Sequence, residues 1–533
     1  MGIYTDLDGF WLLALFSKCK YLSSINPNFV FLSLFLVWLA MHFLCWASPG
    51  GPAWGKYYLL SKKLPTRKIQ GPRGLPIIGS MRLMCSNLAH QNLSKVASHF
   101  SSQRIMAFSL GDSRVIITCN PDVAKEILTS PIFVDRPVKE SAHTLMFNRA
   151  IGFSPYGTYW RTLRKIAASH FFCPKQVDAS QGQRSLVASQ MVTSIGSCRG
   201  ELRVRDVLKP ASLYNMMGLV FGKNYEPDPV DDTEGEELRE LVEEGYELLG
   251  QVNWSDHLPW LSSLDPQGIR ARCSRLVPKV NRFVNRIIQE HREDKATGTK
   301  QGRDFVDVLL SLEGPDKLAD HDMVAVLWEM IFRGVDSVTV LIEWVLARMV
   351  LHPEVQSKVQ NELDRVVGRS RPLIPSDIDS MVYLPAVVKE GLRLHPPGPL
   401  LSWARLAVSD TTVDGYLVPA GTTAMVNMWA ITRDPKVWEE PLRFEPERFI
   451  VGQNAEFSVF GSDLRLAPFG SGRRSCPGKT LGLATVTFWL GTLLHEFEWR
   501  GSDSEPVDLS EVLRLSCEMS KPLTVKVKPR RRS

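Results

Sequence analysis

The sequence predicts a mainly α-helical protein with small β-sheets, carried behind one N-terminal transmembrane helix. Three observations support that reading. Phe29 to Ala47 is almost wholly apolar, interrupted by Ser33 and His42, and is long enough to cross a bilayer. From Ser80 onward, apolar residues recur at helical spacing, and the longest such segment runs from His321 to Leu351. Strand signals are short, at Arg104 to Thr118 and Thr411 to Ile431, where alternation is bounded by glycine and proline turns. The 533 residues contain no low-complexity interior linker or repeat, which favours one large unit over several domains.

Taken in order, residues 1–28 form a short segment expected on the lumenal side, and residues 29–47 form the anchor. Lys56, Lys62, Lys63, Arg67, Lys68 and Arg73 follow with no acidic residue before Gly79, which sets that flank on the cytosolic side. Trp46 and Trp54 stand where an interfacial aromatic belt is expected. A cleaved signal peptide fits less well, because the apolar run is long, starts far from Met1 and lacks a small-x-small exit. Residues 48–79 read as a stiff basic hinge, with Pro49, Pro52, Pro65, Pro72 and Pro76 spaced through it. Residues 80–533 are the main body. Within it, the acidic run Asp231 to Glu244 reads as a solvated face, and Lys526 to Arg532 as a solvated basic end.

Nine cysteines, odd in number and without a Cys-x-x-Cys pair, argue against a disulfide scaffold or a zinc module and fit a reducing, cytosol-facing body. The histidines show no metal-ligand spacing. A net charge of +6 is mild for this length and does not imply nucleic acid.

The segment Pro468 to Gly478 (Pro-Phe-Gly-Ser-Gly-Arg-Arg-Ser-Cys-Pro-Gly) places Cys476 in a glycine-rich, arginine-bearing loop just before a helical apolar stretch. Gly470 and Gly472 permit backbone angles closed to other residues, so N–H groups can point at the sulfur. The following helix N-terminus adds positive potential that favours the thiolate. Gly478 leaves room for a flat ligand, Phe469 keeps water off the sulfur, and Arg474 offers a planar charged fork to an anionic carboxylate. These are the requirements of a thiolate under an iron porphyrin, and they favour a ligand over a buried structural cysteine. The loop resembles that of the cytochrome P450 family, Phe-x-x-Gly-x-Arg-x-Cys-x-Gly, met by Phe469, Gly472, Arg474, Cys476 and Gly478. The resemblance implies the cytochrome P450 fold, haem b (iron protoporphyrin IX), Cys476 as its metal ligand, and 80–533 as a haem-thiolate catalytic domain.

Other motifs follow in the family's order. Glu390 and Arg393 lie one helical turn apart before Pro396-Pro397, which alone reads as a surface ion pair. With Arg448 in Phe-Glu-Pro-Glu-Arg-Phe, the resemblance implies a buried structural triad. In the long segment, Glu329, Arg333, Asp336, Ser337 and Glu343 stand among apolar residues, and Gly334 sits in mid-helix at a cost of about 1 kcal/mol against alanine. The family carries small-Gly-x-acid-Thr-Thr here. Asp336 keeps the acid and Ser337 a hydroxyl, so both are expected to deliver protons, and Gly334 to open space for dioxygen. Arg333 and Val338 depart from the pattern, and Arg333 is a candidate anchor for an anionic substrate such as a fatty acid. Trp160 and Arg164 resemble the family's Trp-x-x-x-Arg, and Arg405 is a further candidate partner for the haem propionates.

The resemblance implies a monooxygenase that takes NADPH-derived electrons through NADPH–cytochrome P450 reductase and inserts one atom of O2 into a small lipophilic substrate. It implies a single-pass endoplasmic reticulum protein whose catalytic domain faces the cytosol. Phe332-Arg-Gly-x-Asp336, Phe444 to Phe449 and Arg473-Arg-x-Cys-Pro-Gly-Lys479 look most like plant subfamily 78A, which implies fatty-acid-like or other lipophilic signal precursors and roles in organ growth. Two alternatives stay open: an isomerase or dehydratase acting on a peroxide without a reductase, and a non-enzymatic haem sensor. Retention of Asp336 and Ser337 speaks against both.

Overall fold

The computed structural model describes residues 27–61, 67–223, 233–297, 304–401, 404–451 and 457–530. Its first helix, α1 (Pro27–Trp46), presents large apolar side chains outward; Phe31 is 73% exposed and Val37 62%. At 1.5 Å per residue it is about 30 Å long, the thickness of a bilayer core. α2 (Pro52–Leu60) folds back against it. Gly55 makes this possible, since a Cβ there would lie 1.8 Å from the Cys45 carbonyl oxygen. The Trp46 indole N–H also reaches the Gly74 carbonyl at 2.8 Å.

Two expectations for this region change. The 48–79 segment is helical over Pro52–Leu60, so it is not a plain hinge. Trp54 is fully buried, its N–H shared between the Phe108 and Val115 carbonyls at 3.2 and 3.1 Å, and so belongs to the core and not to an interfacial belt. Residues 1–26 and 62–66 lie outside the described residues, with most of the expected lumenal segment and with Lys62, Lys63 and Pro65.

The strands are short and join distant parts of the chain. β1 (Met106–Leu110) and β2 (Ser113–Thr118) form a hairpin; further on come β3 (Glu201–Arg203), β4 (Arg405–Leu406), β5 (Thr411–Val413), β6 (Tyr416–Val418) and β7 (Thr423–Val426). After them lie β8 (Phe497–Gly501), β9 (Glu511–Leu513), β10 (Cys517–Met519) and β11 (Thr524–Pro529). One sheet has the order β1-β2-β7-β4, with β7 parallel to β2 and Val115 opposite Thr423. A second has the order β3-β11-β8, and β5-β6 and β9-β10 are separate pairs. The described part of the basic C-terminus is therefore strand β11, and Arg530 pairs with Asp364 at 2.9 Å.

The helical body comprises α3 (Thr158–His170), α4 (Gln181–Ser197), α5 (Val204–Phe221), α6 (Thr233–Gly250), α7 (Ile269–Thr297), α8 (Asp320–Leu351), α9 (Pro353–Val366), α10 (Tyr383–Leu394) and α11 (Lys479–Glu496), with shorter helices between. α8 is apolar nearly all round, so it must be covered all round. Up to Val335 it packs into one core with α5, α6 and α7; from Val338 it packs into another with α4, α9, α10 and α11. The change of partners falls at Asp336 and Ser337, and the principal cavity opens there. Glu343, buried farther along, is held by Arg205 at 2.7 Å, which spares it the cost of an unpaired interior charge.

Candidate active site

The Cys476 loop is built as its glycines require. Gly470 and Gly472 have φ of 67° and 70°, angles that disfavour any side chain. A Cβ on Gly472 would lie 2.0 Å from the Leu128 carbonyl oxygen, so the loop is pressed against the helix Pro121–Thr129. The Cys476 N–H donates to Phe469 O at 2.9 Å, and Gly478 caps α11. Cys476 is half-buried and lines a cavity of about 280 Å³. Burial pushes the thiol pKa up; Arg333, the Gly478 N–H, Arg164 and Lys479 act in the opposite direction. Phe469 packs between the cavity and the core. Gly478 does not face open space, because a Cβ there would meet the Phe172 ring at 3.1 Å. Room for a flat ligand lies instead at Gly470 and Gly482, which line the cavity and would bring a Cβ near nothing within 4 Å.

Arginines crowd the same cavity. Arg474 donates to the carbonyls of Val134, Ile151 and Ser154 at 2.9, 3.0 and 2.7 Å and lies 4.4 Å over the Trp160 ring. The Trp160 N–H is spent on Ile151 O at 2.9 Å, so Trp160 carries Arg474 on its face and offers its polar edge to the protein. Arg405 donates to Ser471 O at 3.2 Å; burial and the charges of Arg474 and Arg164 push its pKa down to about 9. Burial likewise lowers Arg164. Among the described residues, neither Arg164 nor Arg405 forms an ion pair. Arg136, which sequence reasoning did not single out, completes the group: burial, Arg405, Arg333 and Arg474 hold it well below the usual arginine range. A site so arranged has a surplus of buried positive charge.

Behind the loop, Glu390 and Arg393 are fully buried and bidentate, with both contacts at 2.7 Å. Arg448 Nε reaches Glu390 Oε1 at 3.2 Å, and the Glu445 N–H donates to the same oxygen at 2.9 Å. Arg393 spends its remaining N–H groups on the carbonyls of Thr432, Pro441 and Arg443. The three side chains thus tie α10 to the irregular segment that leads to Cys476.

The facing wall is the middle of α8. Arg333 lines the cavity with its side chain 36% exposed, 3.7 Å from Glu329 one turn earlier. Glu329 is buried; one oxygen accepts the Gly152 N–H at 2.8 Å, and Oε2 has no hydrogen-bond partner among the described residues. Asp336 is half-buried at the cavity wall; burial raises its pKa, and Ser516 acts in the opposite direction. Ser337 opens onto the cavity and Val338 is mostly buried. Gly334 lines the cavity and also admits α5 against α8, since a Cβ there would lie 2.6 Å from Met216 Sδ and Cε. Glu329 carried a signal, an acid in an apolar helix one turn before an arginine. Arg136, Tyr246 and Ser516 reach the site from remote segments and carried none.

The family model for cytochrome P450 matches residues 69–526. The chain belongs to the cytochrome P450 family. It is 65% identical to cytochrome P450 78A9 of Arabidopsis thaliana over 98% of this chain and 97% of that one. It is 63% identical to cytochrome P450 78A3 of Glycine max, over 98% and 99%, which places it in subfamily 78A. A solved zebra fish cytochrome P450 with progesterone matches with TM-score 0.70 and 25% identity, over 83% of this chain and 99% of that one. As a cytochrome P450 the protein is a haem-dependent monooxygenase that uses O2 and reductase-derived electrons. The cavity fits that cofactor: a cysteine thiol, open space at Gly470 and Gly482, and a cationic surplus suited to two buried carboxylates occur together.

Proposed function

We propose that this cytochrome P450 hydroxylates a lipophilic carboxylic acid of the fatty-acid class, in line with subfamily 78A, and that organ growth is the process it serves. The observation that carries the substrate class is Arg333, a cation in a wall otherwise formed by side chains such as Met146, Phe153, Met330, Phe332 and Leu515. Arg136, Arg164, Arg333, Arg405 and Arg474 outnumber Glu329, Asp336 and Asp135 by two, the number of carboxylates on a porphyrin. An acyl chain would lie along the apolar lining and exclude water, while its carboxylate shares Arg333 with Glu329.

Cys476 is the proposed metal ligand, with Phe469, Gly472 and Gly478 shaping its loop. Arg164, Arg405, Arg136 and Arg474 are the proposed propionate partners, with Trp160 supporting Arg474. Glu390, Arg393 and Arg448 hold the loop in place. Haem, when bound, supplies dioxygen activation and the insertion of one oxygen atom, chemistry that belongs to the cofactor. The chain's part on the α8 wall is to move protons: Asp336, half-buried at the cavity, exchanges them with the surroundings, and Ser337 passes them into the cavity. α1 supports a membrane anchor, and residues 80–533 a cytosolic catalytic domain on the endoplasmic reticulum that draws electrons from NADPH–cytochrome P450 reductase.

Two experiments test this reading. Cys476→Ala should abolish the red-shifted carbon monoxide band of the reduced protein; an unchanged band would refute the ligand assignment. Laurate should shift the haem spin state, and Arg333→Ala should weaken its binding by about tenfold, the worth of one charge-assisted hydrogen bond. Equal affinity in that variant would remove the carboxylate anchor.

A further inference from the structure

The β9–β10 hairpin stands apart from the larger sheets as two three-residue strands, a unit that is marginal without outside support. Residues two apart on a strand share a face, so Glu511 lies on the same face as Leu513 and as Cys517, which pairs with Leu513. The first turn of the helix Ala89–His99 meets that face. There His90 Nε2 lies 2.9 Å from Glu511 Oε1 and 3.9 Å from Cys517 Sγ, and the sulfur lies 3.5 Å from Glu511 Oε2. His90 and Cys517 are buried and Glu511 is half-buried.

An imidazole nitrogen, a thiol sulfur and a carboxylate oxygen form a donor set for zinc. With bonds of ~2.0 Å to nitrogen and oxygen and ~2.3 Å to sulfur, tetrahedral zinc holds nitrogen and oxygen ~3.3 Å apart and each of them ~3.5 Å from sulfur. The three separations found here differ from those by at most about 0.4 Å. Gln91 also donates to Glu511 Oε1, an outer contact of the kind that orients a ligating carboxylate. Asn427 holds the His90 carbonyl at 2.8 Å, and the Trp429 ring stands edge-on to the imidazole at 5.3 Å. His90 Nδ1 has no hydrogen-bond partner among the described residues, so the polar neighbours of the ring gather at Nε2. The Cys517 backbone is fixed as well: its N–H donates to Pro397 O at 2.9 Å, and its carbonyl accepts the Trp344 indole N–H at 3.0 Å.

Without a metal the same atoms form a hydrogen-bonded cluster, in which the thiol is a weak donor and a weak acceptor. As a thiolate it is a strong zinc ligand, and with Glu511 it balances the charge of the dication. Burial and the Glu511 charge hold the Cys517 thiol well above its usual range, so zinc enters by displacing that proton to solvent. Arg433 is the nearby cation that opposes the ion; its guanidinium is bonded to the carbonyls of Leu394 and Trp429.

We propose that His90, Glu511 and Cys517 bind zinc, with water in the fourth position, as a staple that fixes the β9–β10 hairpin to the helix Ala89–His99. Leu515 and Ser516, at the tip of the hairpin, line the principal cavity, so the staple also steadies that wall. His90 and Cys517 lie 427 residues apart, a separation that no ligand-spacing pattern covers.

The test uses the haem-loaded full chain in lipid nanodiscs, treated with a chelator and then with zinc chloride. After dialysis the wild type should keep one zinc per chain. X-ray absorption at the zinc edge should show one sulfur at about 2.3 Å beside lighter ligands at about 2.0 Å. Cys517→Ser and His90→Gln should each bind zinc at least about a hundredfold more weakly while keeping the carbon monoxide band. Zinc should also slow amide exchange across β9 and β10 by about tenfold in the wild type. No retained zinc, a shell without sulfur, or unchanged affinity in Cys517→Ser overturns the site, and bound zinc with unchanged exchange overturns the staple. Should the variants fail to load haem, the wild-type absorption spectrum and exchange rates decide.

Discussion

The two walls of the cavity are built on different principles. On the Cys476 side, ionic groups are held several times over: Arg393 alone bonds both Glu390 oxygens and three carbonyls, and Arg474 bonds three more. On the α8 side, Asp336 forms no ion pair among the described residues, and Arg333 lies 3.7 Å from Glu329. The first wall specifies one geometry for a thiolate. The second leaves polar groups that ligands and neighbouring elements can shift, which suits proton movement and substrate choice.

If the Cys476 wall is over-determined by its buried ion network, breaking that network should have the largest effect. Glu390→Ala leaves Arg393 and Arg448 buried without their shared carboxylate, at a cost of about 3–5 kcal/mol. Chemical denaturation of the purified variant should show that loss together with poor haem loading. A stability within about 1 kcal/mol of wild type would mean that the backbone carbonyls suffice to hold the arginines.

Gly472→Ala attacks the same wall through the backbone. The residue is in the left-handed region, and the new Cβ would fall 2.0 Å from a carbonyl oxygen that belongs to a packed helix and has little freedom to retreat. Strain of this kind costs about 1–3 kcal/mol. A melting temperature several degrees lower, with a weakened carbon monoxide band, is the expected result.

The same contrast explains what the sequence made legible. The Cys476 loop is local: its glycines, arginine and helix start lie within a dozen residues, and each leaves a compositional mark. The Glu390-Arg393 turn is local as well, and family resemblance supplied Arg448. The α8 wall is assembled from α5, α6, the segment around Arg136 and the β9–β10 hairpin, so Tyr246, Ser516 and Met216 meet it through tertiary packing that no spacing encodes. Gly334, expected to open space for dioxygen, and Gly478, expected to leave room for a flat ligand, illustrate the limit: a Cβ on either would also meet a packed side chain, Met216 or Phe172. The C-terminal strands escaped notice because three- to six-residue strands are too short for an alternation signal.

Between the two walls stand the arginines. Arg405 is repelled by Arg474 and Arg164 and anchored by a single carbonyl, so in the haem-free chain it is a liability. Arg405→Met keeps much of its bulk and removes the charge. The apo protein should become more stable, while haem should dissociate about tenfold faster, as expected for one lost charge-assisted bond. Transfer of haem to an excess of apomyoglobin measures the second effect. An unchanged transfer rate would assign the propionates to Arg164, Arg136 and Arg474.

Gly334→Ala makes the same substitution on the looser wall, and its effect on stability should be the smallest. The helix gains about 1 kcal/mol in propensity, because alanine replaces glycine in mid-helix. Against that, the new Cβ would lie 2.6 Å from Met216 Sδ and Cε, the far end of an unbranched side chain that can adopt another rotamer. The terms nearly cancel, and stability should stay within about 1 kcal/mol of wild type. Met216 also lines the cavity, so its movement should register in laurate binding even where the melting temperature does not. A loss as large as that of Gly472→Ala would mean that the α5–α8 contact is as rigid as the thiolate loop, and the difference between the walls would then lie in their charges alone.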